Sequence, residues 1–375
     1  MLGRDEAAAR LASISRGVER IGPDIALSLV YARPSLVERR PAIARVAYAE
    51  RCISDEQLSE LIAAFRSIGS YVELFDGELP FLDALVSGRL SALGRRYNLV
   101  HNGIGWGITD GGFQPGRKSL IPALADSYGL VGTSSNAYTS SIALHRFHSF
   151  VLLRSLGVQA PEVWHYRPGR GWMGDRVPEG TKVIVKSTYE AWSVGVTEDS
   201  VFVVDSSCEA RLDSIAASIG QPVTLQRFVT GREVCVPILE VPDVLVMPPI
   251  EQVITKAPSD GNAVLTLADN LAAGAVAYVP FEPDEVLGAA LANATRIAFE
   301  IMQSEFIGRM DFRIDVAGEP WLTDVAIEPG WGRSAAMFRS AEQLGLTYTD
   351  FLRVLMAGSL FTKGHAALEP PHDLR

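Results

Sequence analysis

Carboxylates and guanidiniums recur with period two in GRMDFRIDVAGEPWLTDVAIEPGWG at residues 308–332. Arg309, Asp311 and Arg313 share one face of an alternating strand, and Asp324, Ala326 and Glu328 share one face of the next, because strand side chains alternate sides. Gly318 marks a tight turn between them, and a two-residue loop there sets Asp311 opposite Asp324. Two carboxylates opposed at ~5 Å repel by roughly 3 kcal/mol at an effective dielectric of ~20. A hard divalent cation turns that penalty into a binding site, and Mg2+ carried in with a nucleotide needs only one or two protein carboxylates beside phosphate oxygens. The competing reading is a solvated sheet face on which Arg309 and Arg313 neutralise the two aspartates.

A second segment, IVKSTYEAWSVGV at 184–196, ends an apolar strand in Lys186. A buried ammonium without a partner is costly, and a nucleotide phosphate is a natural counter-charge; a lysine snorkelling from the strand end is the plainer alternative. The TYEAWSVG that follows has the length of a loop over phosphates but only Gly195 for backbone freedom, less than such cradles normally use. The third segment, LQRFVTGREVCVPIL at 225–239, turns at Thr230-Gly231 and places Glu233 at the start of the returning strand. A carboxylate there can accept hydrogen bonds from ribose hydroxyls, or can simply pair with Arg232 or Arg227. Gln226 to Val229 form the hinge before that turn.

These groups need two sheets and a rigid frame to meet. The chain has 375 residues, enough for two or three domains with a sizeable core. Hydrophobic residues make up 47% and charged residues 21%, which excludes a disordered chain. A formal net charge of −10 is the wrong sign for a phosphate-backbone binder, so nucleic acid is excluded as a partner. Cys52, Cys208 and Cys235 are too scattered for a disulfide framework or a zinc cluster and suit a reducing cytoplasm. No apolar run is long enough to span a membrane, and the first twenty residues read as an amphipathic helix, not a signal peptide.

Along the chain, Arg45–Tyr48 reads as a strand, 55–68 as a helix with Leu58, Leu61, Ile62 and Phe65 on one stripe, and Tyr71–Leu74 and 98–102 as further strands. The glycine-rich IGWGITDGG follows, then a helix and a short strand at 129–135. Such alternation predicts a parallel α/β sheet. One long helix is expected from the Ser/Thr/Asn cluster at 133–136 to Gly157, with Leu144, Phe147, Val151 and Leu152 on its stripe. Paired strands at 183–186 and 200–204, a helix at 209–219, strands at 223–229 and 232–239, a helix at 284–304, the hairpin at 309–327 and a helix at 340–357 complete the reading. Residues 248–278 show no periodicity.

In this order and spacing the three segments resemble the ATP-grasp superfamily, and within it the D-alanine–D-alanine ligase branch. NLVHNGIGWGITDGG followed by YGLVGTSSNAYTSSIALHRFHSFVLLRSLGVQAPE is similar to that branch's amino-terminal domain and linker helix. The resemblance implies an α/β amino-terminal domain plus an α+β ATP-grasp fold whose central and carboxy-terminal parts clamp ATP. The expected division is a helical lead-in at 1–43, the α/β domain at 44–140, the central subdomain at 141–229, the carboxy-terminal subdomain at 230–360 and a flexible tail at 361–375. It further implies ATP and Mg2+ as cofactors, small-molecule carboxylate and amine substrates, no membrane, and a homodimer. By matching position, Arg146 and Lys186 hold phosphates, Gln226, Arg227, Phe228 and Val229 frame adenine, and Glu233 binds ribose. Arg309 stabilises the transferred phosphoryl group, with Glu190 and Ser193 of the loop completing the catalytic set, and Asp311, Asp324 and Glu328 hold the metal.

Departures from the branch's pattern concentrate around the substrates. The asparagine expected two residues after the second metal carboxylate is Ala326, which makes Glu328 the candidate replacement. The linker-helix lysine is Arg146, and a small loop residue is Trp192. A serine after the Pro-Gly turn is Ala335, beside Arg333 and Ser334, and an acidic residue of the amino-terminal loop falls near Thr109, with Trp106 added. The expected activity is therefore an ATP-dependent carboxylate–amine ligase, working through an acyl phosphate on a specialised amino acid or peptide-like substrate, larger and less zwitterionic than D-alanine. Two alternatives stay open: an ATP-grasp enzyme with a non-amine acceptor, and a catalytically degenerate nucleotide-binding protein.

Overall fold

Helix α1 (Arg4–Ile21) buries Ala7, Leu11, Ile14, Ser15 and Val18 along one stripe and carries Asp5 and Glu6 in its first turn, where carboxylates favour the helix dipole. The computed structural model describes residues 3–31, 55–103, 116–255, 257, 260–272 and 274–362. β1 (Ile25–Tyr31) is an apolar run buried at every position, as expected of a parallel strand covered on both faces. With α2 (Asp55–Ser67), β2 (Tyr71–Asp76), α3 (Glu78–Val86), β3 (Tyr97–Asn102), α4 (Leu120–Ser127) and β4 (Val131–Gly132), it builds a parallel sheet in the order β2-β1-β3-β4. The strand expected at Arg45–Tyr48, the loop at 104–112, Cys52 and the tail from 363 lie outside the described residues.

Two expectations change here. Residues 4–31 are not a lead-in, because β1 lies between β2 and β3 at the middle of the sheet, so the first domain begins well before residue 44. The long helix at 133–157 is two helices, α5 (Ala137–Leu144) and α6 (Arg146–Ser155). His145 leaves the helical region at φ −83°, ψ 87°, and its ring accepts the amide of His148 as a cap. The break resets the helical phase. Arg146, Ser149, Phe150 and Leu153 become the buried stripe, while Val151 is exposed.

The second sheet contains β5 (Val163–Arg167), β6 (Gly171–Met173), β7 (Lys182–Ser187), β8 (Val201–Val203) and β9 (Val223–Arg227), antiparallel in the order β6-β5-β9-β7-β8. Helix α7 (Cys208–Ile219) packs Leu212 and Ala216 against Val183, Val185, Val223 and Leu225. Period-two alternation leaves Ile184, Lys186, Thr224 and Gln226 for the other face.

After Phe228-Val229-Thr230 the chain enters the third sheet. It comprises β10 (Gly231–Glu240), β11 (Val244–Val246), β12 (Ile250–Ile254), β13 (Val276–Pro280), β14 (Ile307–Asp315) and β15 (Pro320–Ala326), ordered β13-β12-β10-β14-β15 with β11 on β10. The short α8 (Leu267–Leu271) lies between β12 and β13, and α9 (Glu285–Ile301) covers the face carrying Val234, Val236, Ile238, Met310 and Phe312. On the opposite face Leu239, Val241 and Ile307 pack in one core with α1, α10 (Ala336–Gln343) and α11 (Tyr348–Thr362), the pair that replaces the single helix expected at 340–357. The far end of that face is left to Glu233, Cys235, Asp311 and Arg313.

Ile314 pairs with Pro320, so the hairpin turn is one residue longer than expected, and the register slips back between Asp311 and Phe312 through a bulge at Thr323. The two deviations cancel, and Asp311 stands opposite Asp324, Arg309 opposite Ala326.

Gly358 of α11 admits Phe306, the residue before β14; a methyl at 358 would lie 2.3 Å from its ring. Overpacking of about 1–3 kcal/mol exceeds the roughly 1 kcal/mol that alanine gains in a helix. Gly358→Ala is therefore expected to lower the melting temperature by calorimetry, and a melt at or above that of the parent would show that Phe306 has room to move.

Candidate active site

Lys186 ends β7 on the face turned toward the third sheet, and its ammonium donates to Gln226 Oε1 at 3.0 Å and to the Thr323 carbonyl at 3.1 Å. Arg146, at the start of α6, donates through Nη1 to Asp324 Oδ1, which also accepts the Val325 amide at 3.0 Å. The β15 bulge thus meets the second sheet and the linker helix at one small cavity lined by Arg146, Phe150, Val163, Lys186, Thr224, Gln226 and Thr323. Burial lowers the Lys186 pKa to about 8, with Asp324 pulling it up and Arg146 pushing it down. Burial would raise the Asp324 carboxyl, but Arg146 and Lys186 outweigh it and hold the group below the usual range.

Arg309 clasps Asp311 through two parallel bonds of 2.7 Å, the bidentate geometry of a strong guanidinium–carboxylate pair. The opposed aspartates therefore do not repel unscreened: Arg309 serves Asp311 and Arg146 serves Asp324. Arg309 thus neutralises Asp311 in the ligand-free protein, while Arg313 points elsewhere and Arg146 takes its place at Asp324. Among the described residues no three His, Cys, Asp or Glu side chains gather into a metal cluster. Glu328 does not join the two aspartates; it lies beyond the end of β15, its Oε2 3.5 Å from Lys118 Nζ.

Arg313 is a residue whose role the sequence pattern missed. It donates to the carbonyls of Val229 (2.9 Å), Gly261 (3.1 Å) and Ala263, approaches Glu233 Oε2 at 3.4 Å, and stacks 4.8 Å above Phe228. It ties the hinge to the segment between β12 and β13. That segment also reaches the second sheet: Lys182 Nζ donates to Asn262 Oδ1 at 2.8 Å, and Val264 packs with Ile184, Val196 and Phe228. Gly261, at φ +73°, is required where the segment touches the turn, since a Cβ would lie 2.8 Å from the Gly231 nitrogen. Lys256 lies outside the described residues.

The hinge differs from expectation in its donors. The amides of Arg227 and Phe228 already donate to the carbonyls of Glu162 and Lys182, each at 2.9 Å, and the Arg227 side chain pairs with Glu162 at the surface. Gln226 is buried and works through its side chain on Lys186. Two backbone amides of the expected adenine frame are thus engaged in the fold itself.

The loop after Lys186 makes its turn without the glycines a phosphate cradle normally has. Trp192 and Ser193 both adopt left-handed backbone at φ 61° and 58°, a strain that persists only where the surroundings hold it. Asn270 supplies that hold, donating to the Trp192 carbonyl at 3.1 Å and to Ser193 Oγ at 3.3 Å, while Ser187 Oγ closes the loop on the Val194 carbonyl at 2.8 Å. Glu190 is buried within it and Trp192 is exposed. Behind the loop His145 stacks on His148 at 3.6 Å and lies 5.6 Å from His165 and 5.1 Å from Tyr189. Burial lowers His145 to about 3 and His165 to about 4, so these rings are neutral neighbours of Arg146 at physiological pH. The i, i+3 spacing of His145 and His148 was the sequence signal for this cluster.

A family model, the D-ala D-ala ligase C-terminus, matches residues 178–357. D-alanine–D-alanine ligase of Synechococcus sp. (strain JA-2-3B'a(2-13)) is 24% identical over 247 residues, 65% of this chain and 73% of the relative. That of Actinobacillus pleuropneumoniae serotype 5b is 24% identical over 314 residues, 82% of this chain and 93% of the relative. Among solved structures, the Bacillus anthracis D-alanine–D-alanine ligase complexed with ATP superposes with a TM-score of 0.64 at 15% identity, covering 89% of this chain and 97% of that one. The VanG D-Ala:D-Ser ligase of Enterococcus faecalis gives 0.61 at 12% identity, covering 89% and 99%. These structures share the fold.

The pairing of Asp324 reverses the stability effect that unscreened repulsion would produce. Asp324→Asn is expected to destabilise the ligand-free protein, because Arg146 and Lys186 lose their counter-charge. The side chain is 34% exposed, so the cost should be about 1–3 kcal/mol, below the ~3–5 kcal/mol of a fully buried pair. Denaturant unfolding measures it, and an unchanged or higher midpoint would mean that the two cations find other partners. Since the folded pKa of Asp324 is depressed, its contribution is present above the unfolded carboxylate pKa of about 3.9 and is lost as pH falls through the folded value.

Proposed function

We propose that this chain, whose residues 178–357 belong to the D-alanine–D-alanine ligase carboxy-terminal family of ATP-grasp proteins, is an ATP-dependent ligase that joins a carboxylate to an amine. The observation that carries the reading is the meeting of Lys186, Arg146 and Asp324 between two sheets, with the Arg309–Asp311 pair in register beside Asp324. Phosphoryl transfer is mostly positioning and charge stabilisation, and these groups are the kind that supply both.

Lys186 and Arg146 take the nucleotide phosphates, with Glu233 beside the hinge for the ribose. Mg2+ fits the donor set of Asp311 and Asp324: both are hard carboxylates at paired positions, and Asp324 Oδ2 accepts no hydrogen bond from any described residue. The ion, when bound, neutralises charge on the phosphates. Arg309 would then exchange Asp311 for the transferred phosphoryl group, first as the carboxylate substrate becomes an acyl phosphate and again as the amine attacks and phosphate departs. Glu190 and Ser193 line the loop above.

A cavity of about 390 Å3 supports a substrate larger than alanine. It is walled by Ile250, Tyr278 and Pro280 and rimmed by Arg339, Glu342 and Gln343 of α10. Tyr278 connects it to the catalytic face, since its hydroxyl donates to Gln252, the β12 partner of Glu233. No helix among the described residues is long and apolar enough to cross a membrane, and an ATP-consuming reaction suits the cytoplasm.

An ADP-release screen over pairs of carboxylates and amines, with ATP and Mg2+, tests the reading. Amine-dependent ADP release with amide product is the expected outcome. ADP without amide would move the acceptor to another class, and nucleotide binding without turnover would make the chain a binding protein.

Nucleotide affinity should also carry the signature of Lys186. With its pKa lowered to about 8 in the free protein, Lys186 loses its proton above that pH, whereas bound phosphates favour the charged form. Binding then takes up a proton. ATP affinity should be level below pH 8 and weaken as pH rises beyond it, with proton uptake in calorimetry across buffers of different ionisation heat. Lys186→Ala should weaken binding at least tenfold at pH 7, about 1.4 kcal/mol, and abolish the uptake; unchanged affinity in a folded variant would reject the phosphate role.

A further inference from the structure

Gln252 is a buried amide with only one of its two ends engaged. The residue is 7% exposed, its Oε1 accepts the Tyr278 hydroxyl at 3.2 Å, and its Nε2 is enclosed without a hydrogen-bond partner. A buried donor in that state is costly. The neighbours explain which end is bare. Gln252 on β12 pairs with Glu233 of β10 on one side and with Tyr278 of β13 on the other, and cross-strand partners project on the same face. Burial raises the Tyr278 pKa, so the phenol keeps the proton that it donates to Oε1. The N–H end is then the one beside the Glu233 carboxylate, which favours the positive end of the amide dipole over its carbonyl.

Donor and acceptor stand side by side without meeting. Glu233 is drawn toward Arg313 on β14, 3.4 Å away, while Tyr278 holds Gln252 from the opposite side, and no hydrogen bond joins the two. The Glu233 side chain is 24% exposed, so this end of the catalytic face is within reach of a ligand. A cation between them would satisfy the carboxylate and oppose the N–H, and an anion would do the reverse. A hydroxyl suits both, because its lone pairs accept from an N–H while its proton goes to a carboxylate.

We infer that Gln252 is a specificity-determining residue for the nucleotide sugar: one ribose hydroxyl bridges Gln252 and Glu233, accepting from Nε2 and donating to the carboxylate. The inference rests on the ligase reading, which gives the ribose to Glu233, and adds a donor that neither the hinge nor the charge pairs supply. A partly exposed carboxylate that loses one hydroxyl can turn to water. An enclosed amide has no such substitute. The ribonucleotide therefore satisfies Nε2 and a deoxynucleotide leaves it bare, which is how a site built around a substrate hydroxyl rejects the analogue that lacks it.

The test is calorimetric binding of ATP, 2′-deoxy-ATP and 3′-deoxy-ATP, each with Mg2+, to the full chain and to its Gln252→Leu and Tyr278→Phe variants. The parent should bind one of the deoxynucleotides roughly tenfold more weakly than ATP, about 1.4 kcal/mol, and the weaker of the two names the bridging hydroxyl. Gln252→Leu keeps the bulk and removes the amide. Without nucleotide it should melt at or above the parent, because the unsatisfied donor is gone, and its ratio of ATP to deoxynucleotide affinity should fall to within roughly threefold of unity. Tyr278→Phe releases the amide without touching the nucleotide and should lower the ratio partway. A merely structural Gln252 would shift all the affinities together and leave their ratio intact. An unchanged ratio in Gln252→Leu, or in Tyr278→Phe should the leucine variant not fold, would overturn the role of Gln252 and leave the ligase reading standing. So would a parent that binds all three nucleotides alike, with water between the two side chains. A parent that binds none of them would overturn the ligase reading and this inference with it.

Discussion

Buried charge between two sheets is the constraint on which the rest of this molecule depends. Lys186, Arg146, Asp324, Arg309 and Asp311 are drawn from the second sheet, the linker helix and the third sheet, and each is costly to bury alone. Their mutual pairing makes the ligand-free cleft tolerable. On the proposed ligase reading, a polyphosphate with its cation would offer each of these groups an alternative partner of the right sign. The break at His145 follows from the same demand: without it, Arg146 would not head a new helix with its side chain directed at Asp324.

Arg313 applies that logic to the backbone. Its guanidinium collects three carbonyls and the face of Phe228, so the hinge, the turn and the segment after β12 are fastened to one side chain on β14. The segment in turn holds the left-handed Trp192-Ser193 through Asn270. Strain that glycine would have relieved is carried by a contact from another sheet. The loop over the site is therefore coupled to the position of the third sheet instead of being independently flexible.

The parts of this arrangement legible in the sequence were those with a local period. Alternation in 308–328 placed Asp311 against Asp324, although a longer turn and a compensating bulge produced that register. Lys186 stands out at a strand end, where residue type contradicts burial, whereas Gln226 enters only as part of the hinge 226–229. What escaped was non-local. β1 is an uncharged seven-residue run, readable in principle, but nothing in it announces a central strand, since that rank comes from pairing with β2 and β3. Arg146 was read as a phosphate ligand and not as the counter-ion of Asp324, because the two are 178 positions apart. The segment 248–278 shows no period in the sequence, yet it contributes β12, α8 and the start of β13, and the described residues between the strands are held by Arg313 and Lys182 and by contact with the loop at 192.

The substitutions around the substrates can be read through charge as well. On the proposed reading, threonine near position 109 and alanine at 326 stand where the resembled branch has an acidic and a polar residue, which would favour a less polar substrate. Glu328, two residues past β15, is a carboxylate nine-tenths enclosed with one oxygen unsatisfied. Under the proposed ligase reading, the open hollow beside α10, walled by Ile250, Tyr278 and Pro280, would take the side chain of a larger substrate. Size and apolarity would then be met at the β12–β13 edge of the third sheet, apart from the charge pairs at Asp311 and Asp324 that would meet the phosphates.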